Sequence, residues 1–125
     1  MKLNNNFDFS EVKFLDLFAG TGSLDMEMFS RGCTDITSVD MSKISLGFIK
    51  KMSEEVKMPN HKIILGDAIQ FAKNCTQQFD LIFAGPPYAL EVIDEIPNII
   101  FDKKLLNEDG IFIFTEEILQ CHQMC

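Results

Sequence analysis

Three sets of residues in this 125-residue chain can do chemistry. The first is the stretch Lys13-Phe14-Leu15-Asp16-Leu17-Phe18-Ala19-Gly20-Thr21-Gly22-Ser23. An apolar run broken by one acid reads as a strand buried in a parallel sheet. Gly20 and Gly22 then permit a sharp turn and the approach of a ligand to bare backbone. The second is Phe79-Asp80-Leu81-Ile82-Phe83-Ala84-Gly85-Pro86-Pro87-Tyr88, another buried strand, which ends in two prolines and an aromatic ring. The prolines fix φ and remove two N–H donors, so the loop is rigid and its carbonyls are free. The third set is the acids at strand ends, Asp40 and Asp67.

Each feature has a plain reading beside a chemical one. Asp40 can accept both hydroxyls of a ribose, or serve as an acid just ahead of a helix capped by Ser42. Asp67, in Gly66-Asp67-Ala68, can accept from the exocyclic amine of an adenine, or cap the next helix. The dinucleotide fingerprint wants a third glycine where this chain has Asp25. An acid in the first turn suits the helix dipole and opposes a pyrophosphate there. A nucleoside with an amino-acid tail fits better, its ammonium approaching Asp16 and the carbonyls of the turn. That is the pattern of S-adenosylmethionine. Pro86-Pro87-Tyr88 can simply end a strand. Alternatively, Tyr88 stacks on a base while the carbonyl near Pro86 accepts an amine hydrogen. Methyl transfer to an exocyclic amine uses both, because accepting those hydrogens frees the lone pair and holding it in line lowers the barrier.

The elements that must position these residues follow from the pattern. Strands are expected at 12–18, 36–39, 61–65, 79–84 and 111–114. Helices are expected at 23–30, from Ser42 to about Met58, from Asp67 to near Asn74, and over 89–101 with a kink at Pro97. Asn107 to Gly110 reads as a turn. Alternation of strands and helices implies a Rossmann-like, doubly wound, mainly parallel five-stranded α/β sheet of order 3-2-1-4-5, with helices on both faces. This order sets the glycine turn and the Gly85–Tyr88 loop side by side at the switch point. The whole chain, 1–125, reads as one domain with a lead-in at 1–11 and a short helix or tail at 116–125.

Composition bounds the function. At 46% hydrophobic residues, one packed core is expected. No apolar stretch approaches the ~20 residues that cross a bilayer, and the first residues lack a signal-peptide core, so a cytoplasmic protein without a membrane partner is expected. The net charge of −8 repels phosphate backbones, although Lys50, Lys51, Lys57, Lys62 and Lys73 can make a local basic rim. The cysteines are Cys33, Cys75, Cys121 and Cys125, with no zinc-type spacing, so reduced thiols and no metal are expected. His61 and His122 show no partner in sequence.

Taken in order, Asp16 to Ser23, the acid at Asp40, Gly66-Asp67-Ala68, and Phe79 to Phe83 followed by Pro86-Pro87-Tyr88 resemble the Rossmann-like S-adenosylmethionine-dependent methyltransferases. Within these the chain is most similar to the bacterial family that methylates guanine N2 in 16S ribosomal RNA. The resemblance implies S-adenosyl-L-methionine held by Asp16, Phe18, Gly20, Thr21, Gly22, Asp40, Met41, Asp67 and Ala68. It implies a target amine held at Gly85, Pro86, Pro87 and Tyr88, with ribosomal RNA or the assembling small subunit as substrate. The family has Asp or Asn where this chain has Gly85, and a small residue where it has Asp25. It also has a basic arm before strand one and a hairpin after strand five. On that comparison this sequence begins just before strand one and stops just after strand five, leaving strand five as an edge and the protein a monomer or an edge-strand dimer. Three further readings stay open: a SAM-binding module without catalysis, a DNA amino-methyltransferase, and a nicotinamide-dinucleotide module.

Overall fold

The computed structural model describes residues 8–86 and 95–114, together with the backbone of 117–120. After a single 3-10 turn, Phe9–Glu11, capped by Asp8, the chain alternates strand and helix. The strands are β1 (Lys13–Leu17), β2 (Asp35–Asp40), β3 (Asn60–Leu65), β4 (Phe79–Ala84), β5 (Leu106–Phe114) and β6 (Glu117–Gln120). The helices are α1 (Ser23–Ser30), α2 (Lys43–Val56), α3 (Ala68–Asn74) and α4 (Glu95–Asp102). They form one sheet of order β3-β2-β1-β4-β5-β6, parallel except for β6, which runs antiparallel to β5.

The parallel part is the expected doubly wound sheet, and its cause is legible in burial. Leu15 and Leu17 of β1 join Ala68, Ile69 and Ala72 of α3 and Ile96 and Ile100 of α4 on one face. Phe14 of the same strand joins Met28 of α1 and Ile36 of β2 on the other. A strand covered on both faces needs apolar residues at nearly every position, which is why the run in β1 does not alternate.

Helix ends follow local chemistry. Ser42 caps α2, its hydroxyl accepting from Ser45 N at 3.2 Å. Asp67 caps α3 by accepting from Ile69 N at 3.0 Å. Lys57, in the left-handed conformation at φ 57°, ends α2 two residues before Pro59. Pro97 lies within α4 as described, Glu95–Asp102. Residues 89–94, which the sequence reading placed in this helix, lie outside the described residues.

Two expectations at the C-terminal side need correction. Residues 117–120 form β6 rather than a short helix or tail, pairing Phe114 with Glu117 through Ile111 with Gln120. The edge of β5 is therefore covered, and the dimer argued from that open edge loses its basis. In addition, 107–110 is not a separate turn ahead of β5. It lies within β5 as an irregularity, where the register with β4 jumps from Phe79↔Leu106 to Leu81↔Ile111 and Asp109 takes φ 66°. The polar residues there still follow local chemistry: Asn107 Nδ2 donates to Asp80 Oδ1 at 2.8 Å, anchoring the bulge to β4.

Candidate functional site

Sheet register decides which loops meet. Leu17 pairs with Val39 and with Ala84, and Asp40 pairs with Leu65. The residues that follow, Phe18 to Gly22, Asp40 to Ser42, Gly66 to Asp67 and Gly85 to Pro86, therefore emerge together at the C-terminal end of four adjacent strands. In open parallel sheets this is where ligands bind. Pro87 and Tyr88, the rest of the expected catalytic loop, lie outside the described residues.

The glycine turn is tied to β2 by backbone and side chain. Ala19 N donates to Val39 O at 2.9 Å, and Gly20 N donates to Asp40 Oδ2 at 2.8 Å. The other oxygen, Asp40 Oδ1, accepts from Ser42 N at 2.8 Å. Asp40 is thus an organiser of the loops as well as a half-buried acid at this end of the sheet. Each carboxylate oxygen has a second lone pair still available for a hydroxyl.

The two glycines do different work. A Cβ on Gly20 would have only Phe18 O, at 3.9 Å, within reach, so this side of the turn is open. A Cβ on Gly22 would stand 2.7 Å from Ile49 Cγ1 and 3.3 Å from Met52 Cε. Gly22 is the N-cap of α1 at φ 79°, and its lack of a side chain lets α2 pack against the turn. Between β1 and the turn, Phe18 takes φ 64°. An aromatic residue in the left-handed region is a rare, strained arrangement of the kind found at ligand sites. Its ring is half-buried against the α3 and α4 core, which holds it there.

The remaining expected residues scatter around this turn. Thr21 is exposed, its hydroxyl 2.9 Å from Ser23 Oγ. Met41 is 71% exposed and Leu65 50%, two apolar side chains beside the Asp40 and Gly66 ends. A cleft of about 300 Å³ runs along Leu65, Gly66, Asp67, Gln70 and Phe71. Ala68 points the other way, into the core. Asp67 has committed one oxygen to capping α3. Gly85 is exposed, and Pro86 is buried.

The sequence reading misjudged Asp25. Rather than confronting a phosphate at the turn, it is fully buried and meets Asp16 and Ser38 on the sheet. It therefore gives no argument against phosphate at this helix. Burial pushes the Asp16 carboxyl well up, reinforced by the hydrogen bond and charge of Asp25 and by the charge of Asp40. Burial also raises Asp25, against the pull of its hydrogen bonds with Asp16 and Ser38 and of the charge of His61. His61, given no partner by the sequence, lies 2.7 Å from Ser38 Oγ through Nε2. The signal for this cluster was present: Asp16 and Ser38 are polar residues inside otherwise buried strands, and a pairing of β1 with β2 in that register sets them side by side.

The residues present fit a nucleoside with an amino-acid tail. Gly20 leaves backbone open, Asp40 has acceptor capacity left, and Met41 and Leu65 offer apolar surface for a base. Among the described residues no cluster has the make-up of a metal site. No helix among them is long and apolar enough to cross a membrane.

Comparison with known proteins places this arrangement. The family model described as conserved hypothetical protein 95 matches residues 3–123. The chain is 25% identical over 103 residues to the ribosomal RNA small subunit methyltransferase D of Buchnera aphidicola, which covers 82% of this chain and 53% of that protein. The chain thus spans about half the length of that curated relative. Among solved structures, a conserved hypothetical protein of Streptococcus pyogenes is 30% identical with a TM-score of 0.75, over 81% of this chain and 64% of the other. A SAM-dependent methyltransferase from Agrobacterium tumefaciens superposes with a TM-score of 0.66 at 22% identity, over 80% of this chain and 36% of the other. At that identity the likeness speaks to the fold.

Proposed function

The chain belongs to the conserved hypothetical protein 95 family, and from that membership we propose that it is an S-adenosyl-L-methionine-dependent methyltransferase acting on ribosomal RNA. The small-subunit methyltransferase among its relatives supports the substrate class. The observation that carries the reading is the register Leu17↔Ala84, which sets the Phe18–Gly22 turn beside the Gly85–Pro86 loop at one sheet end. One loop suits a methyl donor and the other an acceptor amine.

When bound, the cofactor supplies a methyl group on a positively charged sulfur. The chain's own residues bind and orient. Asp40 and the open backbone at Gly20 would hold the ribose side and the tail, and Met41 and Leu65 would flank the base. The carbonyl near Pro86 accepts hydrogens from the target amine, and Tyr88 stacks on its ring, in line with the resemblance of Pro86-Pro87-Tyr88. The finer assignment within this proposal is N2 of a guanine, with catalysis resting mainly on positioning.

A second reading rests on Gly85. Where the related motif has a carboxylate or amide, this chain offers an exposed glycine, with no side chain to accept the amine hydrogen. Removing one positioned polar group from an oxyanion hole costs ~10²–10³ in rate. The second reading is a module that binds the cofactor without turnover.

The test begins with calorimetric titration of S-adenosylhomocysteine into the purified chain, with Asp40→Ala as control. Micromolar binding lost in the control supports the pocket. Methyl transfer to ribosomal RNA and to assembly intermediates then separates the two readings. Absence of binding by a folded chain would reject both.

A further inference from the structure

The acid that interrupts the apolar run of β1 has a buried partner. Asp16 is 1% exposed and sits in register beside Ser38 on the face covered by α1. Asp25, 0% exposed, comes down onto it from the first turn of α1. Ser38 Oγ donates to Asp25 Oδ2 at 2.6 Å and lies 2.7 Å from His61 Nε2. A hydroxyl has one hydrogen, and here Asp25 takes it. The Nε2 of His61 is therefore the donor to Ser38. The chain of contacts crosses three adjacent strands, from β1 at the sheet centre to β3.

Three buried atoms in this cluster have no partner, one of them His61 Nδ1. The other two are Asp16 Oδ2 and Asp25 Oδ1. Buried polar atoms are nearly always satisfied, and orphans ask for an explanation. One proton held between the carboxyls satisfies both of these oxygens. It also removes the cost of two like charges in a dry site, where one of two neighbouring carboxyls keeps its proton. The surroundings do not offset a second negative charge. Asp40 at the end of β2 adds another acid near Asp16. His61 is a weak counter-charge, because its own burial lowers its affinity for a proton more than Asp25 raises it. Lys43, Lys50 and Glu54 of α2 line a groove that they share with His61.

We propose that the Asp16–Asp25 pair couples cofactor binding to proton release: the free protein keeps one proton between the two carboxyls, and a ligand ammonium at the Phe18–Gly22 turn displaces it. The inference rests on the cofactor reading above and deepens it. The cation favours the ionised form of the pair beneath the turn, as any nearby positive charge favours a carboxylate. The O–H bond breaks, its electron pair stays on the carboxylate, and the proton leaves to solvent. Asp25 is then a positioning residue, acting through Asp16. Ser38 and His61 fix the orientation of Asp25: with Oδ2 occupied by the Ser38 hydroxyl, only Oδ1 is left for the shared proton. Linkage makes the effect reciprocal, so affinity for a ligand with an ammonium rises with pH, by at most about tenfold per unit for one proton released.

The test is calorimetry of S-adenosylhomocysteine binding at one pH in phosphate and in Tris, buffers that take up a proton with different heats. The same titrations with 5′-methylthioadenosine, which keeps the nucleoside and lacks the amino-acid tail, serve as the control on the native chain. Expected is a buffer-dependent heat equivalent to a release approaching one proton with S-adenosylhomocysteine. No release is expected with 5′-methylthioadenosine, and none with S-adenosylhomocysteine on Asp25→Asn. Buffer-independent heats for the native chain, or equal release by the two ligands, would overturn the coupling and leave the cofactor reading intact. Failure of both ligands to bind a folded chain would remove the cofactor reading and the coupling with it.

Discussion

Asp40 at the end of β2 holds Gly20, which follows β1, through a 2.8 Å hydrogen bond from the glycine N–H to Oδ2. The acid that would meet a ribose therefore also shapes the turn that would meet the tail. Replacement by alanine leaves the N–H groups of Gly20 and Ser42 without their carboxylate. Hydrogen bonds to a charged group are worth about 1.5–3 kcal/mol each, less where the site is part-exposed. Asp40→Ala is expected to weaken S-adenosylhomocysteine binding at least about tenfold and to cost roughly 1–3 kcal/mol of stability. Calorimetry and urea unfolding on the same sample read the two effects.

Gly22 is required by both conformation and contact. Alanine there would take a φ of 79° and push its methyl to 2.7 Å from Ile49 Cγ1. The left-handed conformation costs about 1–2 kcal/mol and overpacking about 1–3. Gly22→Ala is expected to lower stability by about 3 kcal/mol, whereas Gly20→Ala loses only the conformational part. Equal loss at the two positions in urea unfolding would refute the assigned contact between the turn and α2.

Gly85 tests the chemistry. A Cβ there lies 3.1 Å from Phe83 Cε1 and 3.4 Å from Cζ, so the ring must yield by a few tenths of an ångström. Gly85→Asp is expected to fold, to bind S-adenosylhomocysteine as the native chain does, and to raise methyl transfer to ribosomal RNA by ~10²-fold. Unchanged transfer with unchanged binding would favour the non-catalytic module.

The buried acids carry a pH signature in stability. Both Asp16 and Asp25 have folded-state affinities for protons above the unfolded values. The native state then holds more protons than the unfolded chain, so this pair makes stability fall as pH rises from about 4 through its raised range. His61, shifted down by burial, acts oppositely: its contribution is present above about 6.5 and lost as pH falls through the lowered folded value. Asp25→Asn removes the Asp25 part of the first effect and, by taking away the charge that favours protonated His61, lowers His61 further. Its stability relative to the native chain is expected to improve steadily between about pH 4 and pH 8 in urea titrations. A constant difference across that range would contradict the raised pair.

Cys33 offers an independent check on the core. It is fully buried, bonds through Sγ to Val12 O at 3.4 Å, and burial pushes its thiol up to about 11. The thiolate is the reactive form. Under native conditions the Cys33 peptide is expected to stay unmodified by iodoacetamide, and to be labelled once urea unfolds the chain. Peptide mapping by mass spectrometry separates it from the other cysteines, and rapid native labelling would argue against the packing of β1 on α1.

Much of the fold was legible because its causes are local. The apolar runs of β1 and β4, the caps at Ser42 and Asp67, and the strand–helix alternation each follow from neighbouring residues, and parallel topology follows from crossover rules. β6 was not legible. Four residues pairing antiparallel along the edge of β5 carry little periodicity of their own, and their conformation depends on the edge they meet. The bulge within β5 likewise looks like a turn in sequence, because its residues are turn formers held in a strand by Asp80.

The site divides in the same way. By itself the sequence determined that glycines bracket a turn after a buried strand, that acids end the neighbouring strands, and that a proline follows β4, since residue type alone sets backbone freedom and charge. Only the tertiary structure decided that Gly22 exists for Ile49 while Gly20 faces open space. Only it turned Asp25 away from the turn and onto Asp16, Ser38 and His61. These relationships join β1, α1, β2, β3 and α2, and side chains far apart in the chain acquire a common environment only when the sheet register brings them to one face.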